Sequence, residues 1–312
     1  MIGITKQERG IRAWIRSFHF HSTWQNYLML AVPAVLVFLF SYIPLFGLLM
    51  AFEDYNPAKG IFGSPFVGLK WFRVAMEMPD FWKVVRNTLS ISLGKIVFCQ
   101  LFSIVFAILL NEVRRKGAKR LVQTVTYFPH FLSWVVMGGV FTELLGNKGM
   151  INLLIRLLGG KSIFFLGNYQ YFQGTMIALH VWKEFGWGAI VYLAAMTNIN
   201  PELYEAATID GANRFKQTWH VTLPGISVTI VMMVVLALGT IMSAGFDQML
   251  IMYNPAVYET GDIIDTFVYR QGLLESQYSM ATAIGLFKSV IGAALMIITN
   301  ALATRYCDYR IF

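Results

Sequence analysis

A helix that crosses a membrane needs about 20 largely apolar residues. This chain supplies six runs of that length: 27–52, 88–110, 121–142, 174–197, 225–246 and 279–303. The first, third and fifth contain no Asp, Glu, Lys or Arg, while the second carries Lys95, the fourth Lys183 and Glu184, and the sixth Lys288. Backbone groups in lipid must be satisfied internally, which leaves helices or a closed barrel. A barrel would show strands of about ten residues with alternating polarity, and no such pattern dominates. Of the 312 residues, 56% are hydrophobic and 13% charged, against about 25% charged in an ordinary soluble domain. A soluble enzyme, a disordered chain and a disulfide scaffold are excluded. The expectation is an all-α integral membrane protein with six transmembrane helices.

The basic residues set its orientation. With the N-terminus in the cytoplasm, 13 Lys and Arg fall inside and nine outside, and the short loop 111–120 holds the densest cluster: Arg114, Arg115, Lys116, Lys119 and Arg120. Short loops rich in Lys and Arg stay inside, so both termini are predicted to be cytoplasmic. The net charge of +8 is accounted for by this placement, and no nucleic acid is expected as a partner. The basic start (Lys6, Arg9, Arg12, Arg16) resembles a secretion signal, but the run after it is far longer than a 7–15-residue signal core and reads as a retained anchor. Residues 11–25, with Trp14, Ile15, Phe18 and Trp24, suit a helix lying at the membrane surface. The outer loops, rich in aromatic residues over 53–87, are expected to form short interfacial pieces. Cys99 and Cys307 are too few for a disulfide framework and read as unpaired. The chain divides into a cytoplasmic or interfacial segment (1–26), a first transmembrane helix with its outer loop (27–84) and a core (85–312).

The inside loop 200–224 carries the clearest local pattern. Asn200 suits a helix cap, Pro201 the first helical position and Glu202 the positive end of the helix dipole. Asp210-Gly211 then supplies a sharp turn, and a second short helix through Phe215 and Trp219 is expected to end at Pro224. On local physics alone this could be a well-capped connector. The residues say more: Glu205-Ala206-Ala207, then Asp210-Gly211-Ala212 with the Gly six positions after the Glu, then Leu223-Pro224 with the Pro thirteen further on. This spacing resembles the Glu-Ala-Ala loop of the membrane subunits of bacterial ATP-binding-cassette importers. Asp210 matches the sugar-importing branch. The resemblance covers roughly 85–312, and the helix before it and the outer loops are similar to the maltose-type oligosaccharide permeases, in particular to the branch handling complex polysaccharide fragments. The C-terminal Arg-Tyr-Cys-Asp-Tyr-Arg-Ile-Phe resembles that branch weakly.

The resemblance implies a multi-pass subunit of a bacterial cytoplasmic membrane, acting with a second, similar permease, two copies of an ATPase and an extracytoplasmic solute-binding protein. The helix bearing Glu205, Ala206 and Ala207 would be a coupling helix docked on an ATPase subunit. ATP and Mg would bind at those partners, and no cofactor, metal or catalytic residue is expected in this chain. Its nearest approach to a phosphate-binding loop, Gly160-Lys161-Ser162, has Ile155 where the first Gly must stand.

Ionisable groups at bilayer depth are costly and usually face a cavity or one another. His180, Lys183, Glu184 and Trp187 share one face of the fourth segment by their three-, four- and seven-residue spacing. In the resembling family the helices beside the coupling loop line the path, so this face is the first choice for sugar contact, with intersubunit or helix packing as the alternative. Thr240, Ser243 and Asp247 are read as a similar face on the fifth segment. Lys95 and Lys288 are expected to snorkel or to meet Glu143, and His130 to be a packing histidine. The intramembrane lysines would suit an anionic sugar, with Lys183 as the residue to test. The competing classes are a stand-alone ion-coupled carrier, which usually shows internal repeats, and an intramembrane glycan- or lipid-modifying enzyme, which needs a nucleophile or acidic cluster. Neither feature is visible, and only a partner-dependent importer needs the loop 200–224.

Overall fold

A computed structural model of the chain describes residues 20–307. The stretch with Lys6, Arg9, Arg12 and Arg16, most of the expected surface helix 11–25, and the C-terminal residues 308–312 lie outside the described residues, as do the side chains of His21 and Cys307. The described residues are helical apart from turns and one isolated antiparallel bridge, Glu53–Phe66. Three helical stretches are long and apolar enough to cross a membrane: Trp24–Phe52, Pro79–Asn111 and Tyr278–Ala301. Two bent pairs, Lys116–Phe131 with Trp134–Leu157 and Arg214–Gly225 with Ser227–Leu238, raise that number to five if each is one span. The remaining expected segment, the fourth, lies within a single helix, Tyr169–Thr197.

The first span, α1, begins as an α-helix (Phe20–Val37), widens into a π turn (Phe38–Tyr42) and tightens into a 3₁₀ stretch (Ile43–Phe52) after Pro44. Its 3₁₀ end packs against the last helix, α14 (Tyr278–Cys307). Next come α2 (Lys70–Glu77) and the 33-residue α3 (Pro79–Asn111), which opens on Pro79 at its first position. The centre of the bundle is the crossing of α3 with α7 (Tyr169–Thr197). Small residues bring helices close in membranes, and here a Cβ on Gly186 would stand 2.4 Å from the Thr126 carbonyl oxygen of α4 (Lys116–Tyr127). Ser103 Oγ donates to Phe185 O at 2.9 Å, and Tyr192 OH donates to Gln100 Oε1 across the same crossing.

Apolar clusters extend from this centre in three directions. One joins α3 and α7 to α5 (Trp134–Leu145) through Ile91, Phe141, Phe172 and Met249. A second joins α2, α3 and α14 through Ala75, Phe81, Phe267 and Ile284. A third, with Ala107, Ala189, Tyr192 and Ile226, lies towards the end that carries loop 200–224. At the opposite end, buried polar groups fasten the segment after residue 246. Asn87 Nδ2 donates to the carbonyls of Glu259 and Asp262, Ile264 N–H donates to Thr88 Oγ1 at 2.9 Å, and Arg270 meets Asp262 at 2.5 Å. This segment folds as short helices, α11 (Phe246–Met252), α12 (Tyr258–Gly261) and α13 (Ile264–Tyr269).

Two expected single helices are broken. The third segment, 121–142, bends by 103° at residues 131–134. Pro129 closes α4 in a 3₁₀ turn, Leu132 is extended, and Ser133 caps α5 by accepting from Val136 N–H at 3.4 Å. The fifth segment, 225–246, is helical over α10 (Ser227–Leu238) and then turns through Gly239–Gly245 before α11. Gly245 takes φ +87°, a left-handed conformation that a Cβ resists.

Candidate functional site

Two features stand out, the element 200–225 and a polar cavity inside the bundle. In the first, α8 (Pro201–Ile209) starts where Asn200 accepts from Glu202 N–H at 3.1 Å, with Pro201 following as expected. It ends in a Schellman closure: Ala212 N–H donates to Ala207 O and Gly211 N–H to Thr208 O, with Gly211 at φ +75°. No atom lies within 4 Å of where a Gly211 Cβ would stand, so within this chain the glycine answers to backbone conformation alone. The second helix, α9 (Arg214–Gln217), does not end at Pro224 but runs to Gly225. A π turn over Thr218–Thr222 lets Leu223 N–H donate to Thr218 O, and Pro224, with no N–H to place, follows in line. The break comes at Ile226, where α10 departs at 59°.

Few contacts tie α8 to α9. Buried Gln217 donates to Thr208 Oγ1 and to Ala212 O, and the Tyr204 and Thr222 hydroxyls meet at 3.0 Å. Most of the surface faces outward, including Glu205, Ala206 and Asp210, with Ala207 and Ala212 half-buried. Ile209 is 86% exposed and Phe215 75%, and Phe215 stacks on Trp219, itself exposed. Arg214 reaches Glu112 at the end of α3 at 3.6 Å, an exposed pair of small energetic weight.

Within the bundle, the break between α10 and α11 opens a cavity of about 240 Å³ against α3 and α7. Its polar lining comprises Ser92, Lys95, Cys99, Gln100, His180, Thr240 and Ser243. Lys95 is 5% exposed, and its ammonium donates to Ala244 O at 2.6 Å and to Gln248 Oε1 at 2.5 Å. Gln248 is held in turn by donating to Met176 O. A Cβ on Gly245 would stand 3.1 Å from Lys95 Nζ, so this glycine serves both the turn and the lysine.

The fourth-segment residues divide between this cavity and the other break. Lys183 donates to Glu184 Oε1 at 2.9 Å and to His130 O at 2.8 Å, while Glu184 Oε2 meets His130 Nδ1 at 2.6 Å. Trp187 lies parallel to His130, with centroids 4.4 Å apart, and edge-on to Phe131. His180 stacks on Trp134, and Lys183 Nζ sits 5.6 Å from the centroid of the same ring. Lys183, Glu184 and Trp187 thus pack on the bend of the third segment.

Comparison with known proteins decides the family. Residues 101–306 match the family of binding-protein-dependent transport system inner membrane components. The chain belongs to this family. The permease is 40% identical over 286 residues to Protein LplB of Bacillus subtilis, covering 91% of this chain and 90% of LplB. It is also 40% identical over 287 residues to the polygalacturonan/rhamnogalacturonan transport system permease protein YteP of the same organism, covering 92% and 89%. It superposes with a TM-score of 0.86 and 34% identity on a chain of a bacterial ABC transporter involved in the import of the acidic polysaccharide alginate, covering 95% of this permease and 99% of that chain.

Of the permease residues singled out in the sequence, His180, Thr240 and Ser243 meet in the cavity. Thr240 and Ser243 do so from a turn, because the helix face expected to hold them with Asp247 does not exist. Thr240 Oγ1 bonds back to Ala237 O, and Asp247 falls in the first turn of α11, outside the lining. Neither Lys95 nor Lys288 meets Glu143: Lys288 pairs with Asp265, which α13 carries back towards α14. Sequence reasoning missed Ser92 and Gln100, although Ser92 sits three residues from Lys95 and so on its face of α3. Gln248 gave no signal, since it meets Lys95 only across a sequence separation of 153.

Proposed function

We propose that this permease is the membrane-spanning subunit of an ATP-driven importer of sugar oligomers, with fragments of acidic polysaccharides as its substrate class. What carries the reading is likeness along nearly the whole chain to a permease named for polygalacturonan and rhamnogalacturonan transport. A bacterial alginate transporter, 34% identical in its matching chain, has been seen in complex with an alginate pentasaccharide-bound periplasmic protein. On this reading six segments cross the cytoplasmic membrane, both termini lie inside, and the chain works with a second permease, two ATPase subunits that hold ATP and Mg, and an extracytoplasmic binding protein. It has no catalytic role of its own.

The inner element would receive the work of ATP. Apolar side chains left facing water mark protein contacts, and Leu203, Ile209, Phe215 and Trp219 supply such a surface beside Glu205, Ala206, Ala207, Asp210, Gly211 and Ala212. Leu223 and Pro224 continue that element to the joint at Ile226, so ATPase closure would move α10 and with it the cavity at its far end. His180, Thr240 and Ser243 are the path residues this arrangement favours. Lys183, Glu184 and Trp187 are placed to hold the bend of the third segment.

Purification of the tagged chain in mild detergent tests the assembly, with a second permease and an ATPase expected to copurify. A chain that emerges alone under several gentle conditions would overturn the reading. Glu205→Lys should leave membrane insertion intact and abolish uptake. Normal uptake by that variant would remove the coupling assignment.

A further inference from the structure

A charge inside a protein or a bilayer is normally matched by an opposite charge, because an unmatched one is costly. Two of the three lysines in the apolar segments obey this rule, Lys183 with Glu184 and Lys288 with Asp265. Lys95 does not: among the described residues no carboxylate lies within ion-pair distance of it. An ammonium has three donors, and Ala244 O and Gln248 Oε1 use two. One turn away on the same face, Ser92 is 2% exposed, and its hydroxyl is buried with no hydrogen-bond partner. Both side chains line the one cavity. Buried polar groups in native proteins are nearly always satisfied, so an orphaned hydroxyl beside an unmatched ammonium identifies what is missing: an anion that accepts from both.

We infer that Ser92 and Lys95 form a carboxylate-binding pair that makes the permease selective for uronic-acid units over neutral sugars. The inference rests on the importer reading and sharpens its substrate. One carboxylate oxygen takes the third ammonium donor and another the Ser92 hydroxyl, which cancels the charge and satisfies the orphan together. A neutral hydroxymethyl group in the same place could accept a hydrogen bond but would leave the charge unmatched. The cavity, smaller than the roughly 300–1,000 Å³ of pockets that enclose whole ligands, fits one unit of a chain. Polar groups of His180, Thr240 and Ser243 are available to ring hydroxyls.

Cys99 lines the same cavity and reports on its occupancy. In the complete complex carrying Cys307→Ser, without the binding protein, a galacturonic acid trimer should protect Cys99 from a methanethiosulfonate reagent. Lys95→Met should raise the trimer concentration for half-protection about tenfold or more, and Ser92→Ala about fivefold. Protection by the carboxyl-reduced, neutral trimer should be the same in all three proteins. Ser92→Ala carries the test alone if Lys95→Met fails to assemble, because deleting a hydroxyl that has no partner does not threaten the fold. Equal protection by the acidic trimer in every variant would overturn the pair, as would equal loss for both trimers. No protection of the parent by either trimer would overturn it too while leaving the importer reading standing, since copurification and uptake judge that separately.

Discussion

The two broken helices use the same backbone device to opposite chemical ends. At residues 131–134 the chain turns by 103°, and the polar groups released there are gathered by α7: Lys183 takes the His130 carbonyl, Glu184 takes the His130 ring, and Trp187 covers it. Every charge at that break has a partner within the chain. At 239–245 the backbone turns through glycines instead, and the lysine that donates to the buried carbonyl of Ala244 brings a positive charge with no carboxylate among the described residues to meet it. A break closed by its own ion pair is a joint. A break that leaves a charge and a hydroxyl unmatched beside a cavity has the makings of a site.

The contrast can be broken most forcefully at Glu184. Changing it to Gln strands the buried Lys183 ammonium, and removing one partner of a buried pair costs on the order of 3 kcal/mol. The purified complex should lose helical signal at a clearly lower temperature, and adding Lys183→Met should restore much of the loss. An unchanged transition would mean that the pair does not hold the bend. Gly245→Ala is expected to act on the other break, at about 1–2 kcal/mol for a side chain forced left-handed. It should lower uptake of acidic oligosaccharides more than that stability loss explains, because the added Cβ crowds Lys95. Trp187→Leu should have the smallest effect, about 1 kcal/mol from the lost ring contacts, with uptake close to normal. A fall in uptake exceeding that of Gly245→Ala would return Trp187 to the sugar path and blur the distinction between the two breaks.

Much of the architecture was legible because hydropathy over 20 residues is a local quantity. Asn200, Pro201 and Gly211 were legible for the same reason, since caps and left-handed turns are decided within a few positions. The breaks were not. Pro129, Gly239 and Gly245 are visible in the sequence, yet apolar neighbours on both sides make each segment look continuous to any window that averages. The fate of each lysine was legible least of all. Asp265 reaches Lys288, and Gln248 reaches Lys95, only because the segment after residue 246 folds back onto the bundle, and periodicity within one helix does not record that. The anionic-sugar expectation rests on all three intramembrane lysines, with Lys183 as the one to test, whereas the tertiary contacts pair Lys183 with Glu184 and Lys288 with Asp265 and leave Lys95.

Ile226, the single residue between Gly225 and α10, is fully buried among Ala107, Ala189, Tyr192 and Met196. Flexing the chain there would draw a large aliphatic side chain out of its socket, at about 1.5–3 kcal/mol. The angle between the element 200–225 and α10 is therefore stiff, like the fixed elbow of a bell crank. A load applied to α8 would not dissipate at that elbow. It would arrive at the other arm, where the helix ends at Leu238 and the turn that carries Ala244 and Gly245 to Lys95 begins.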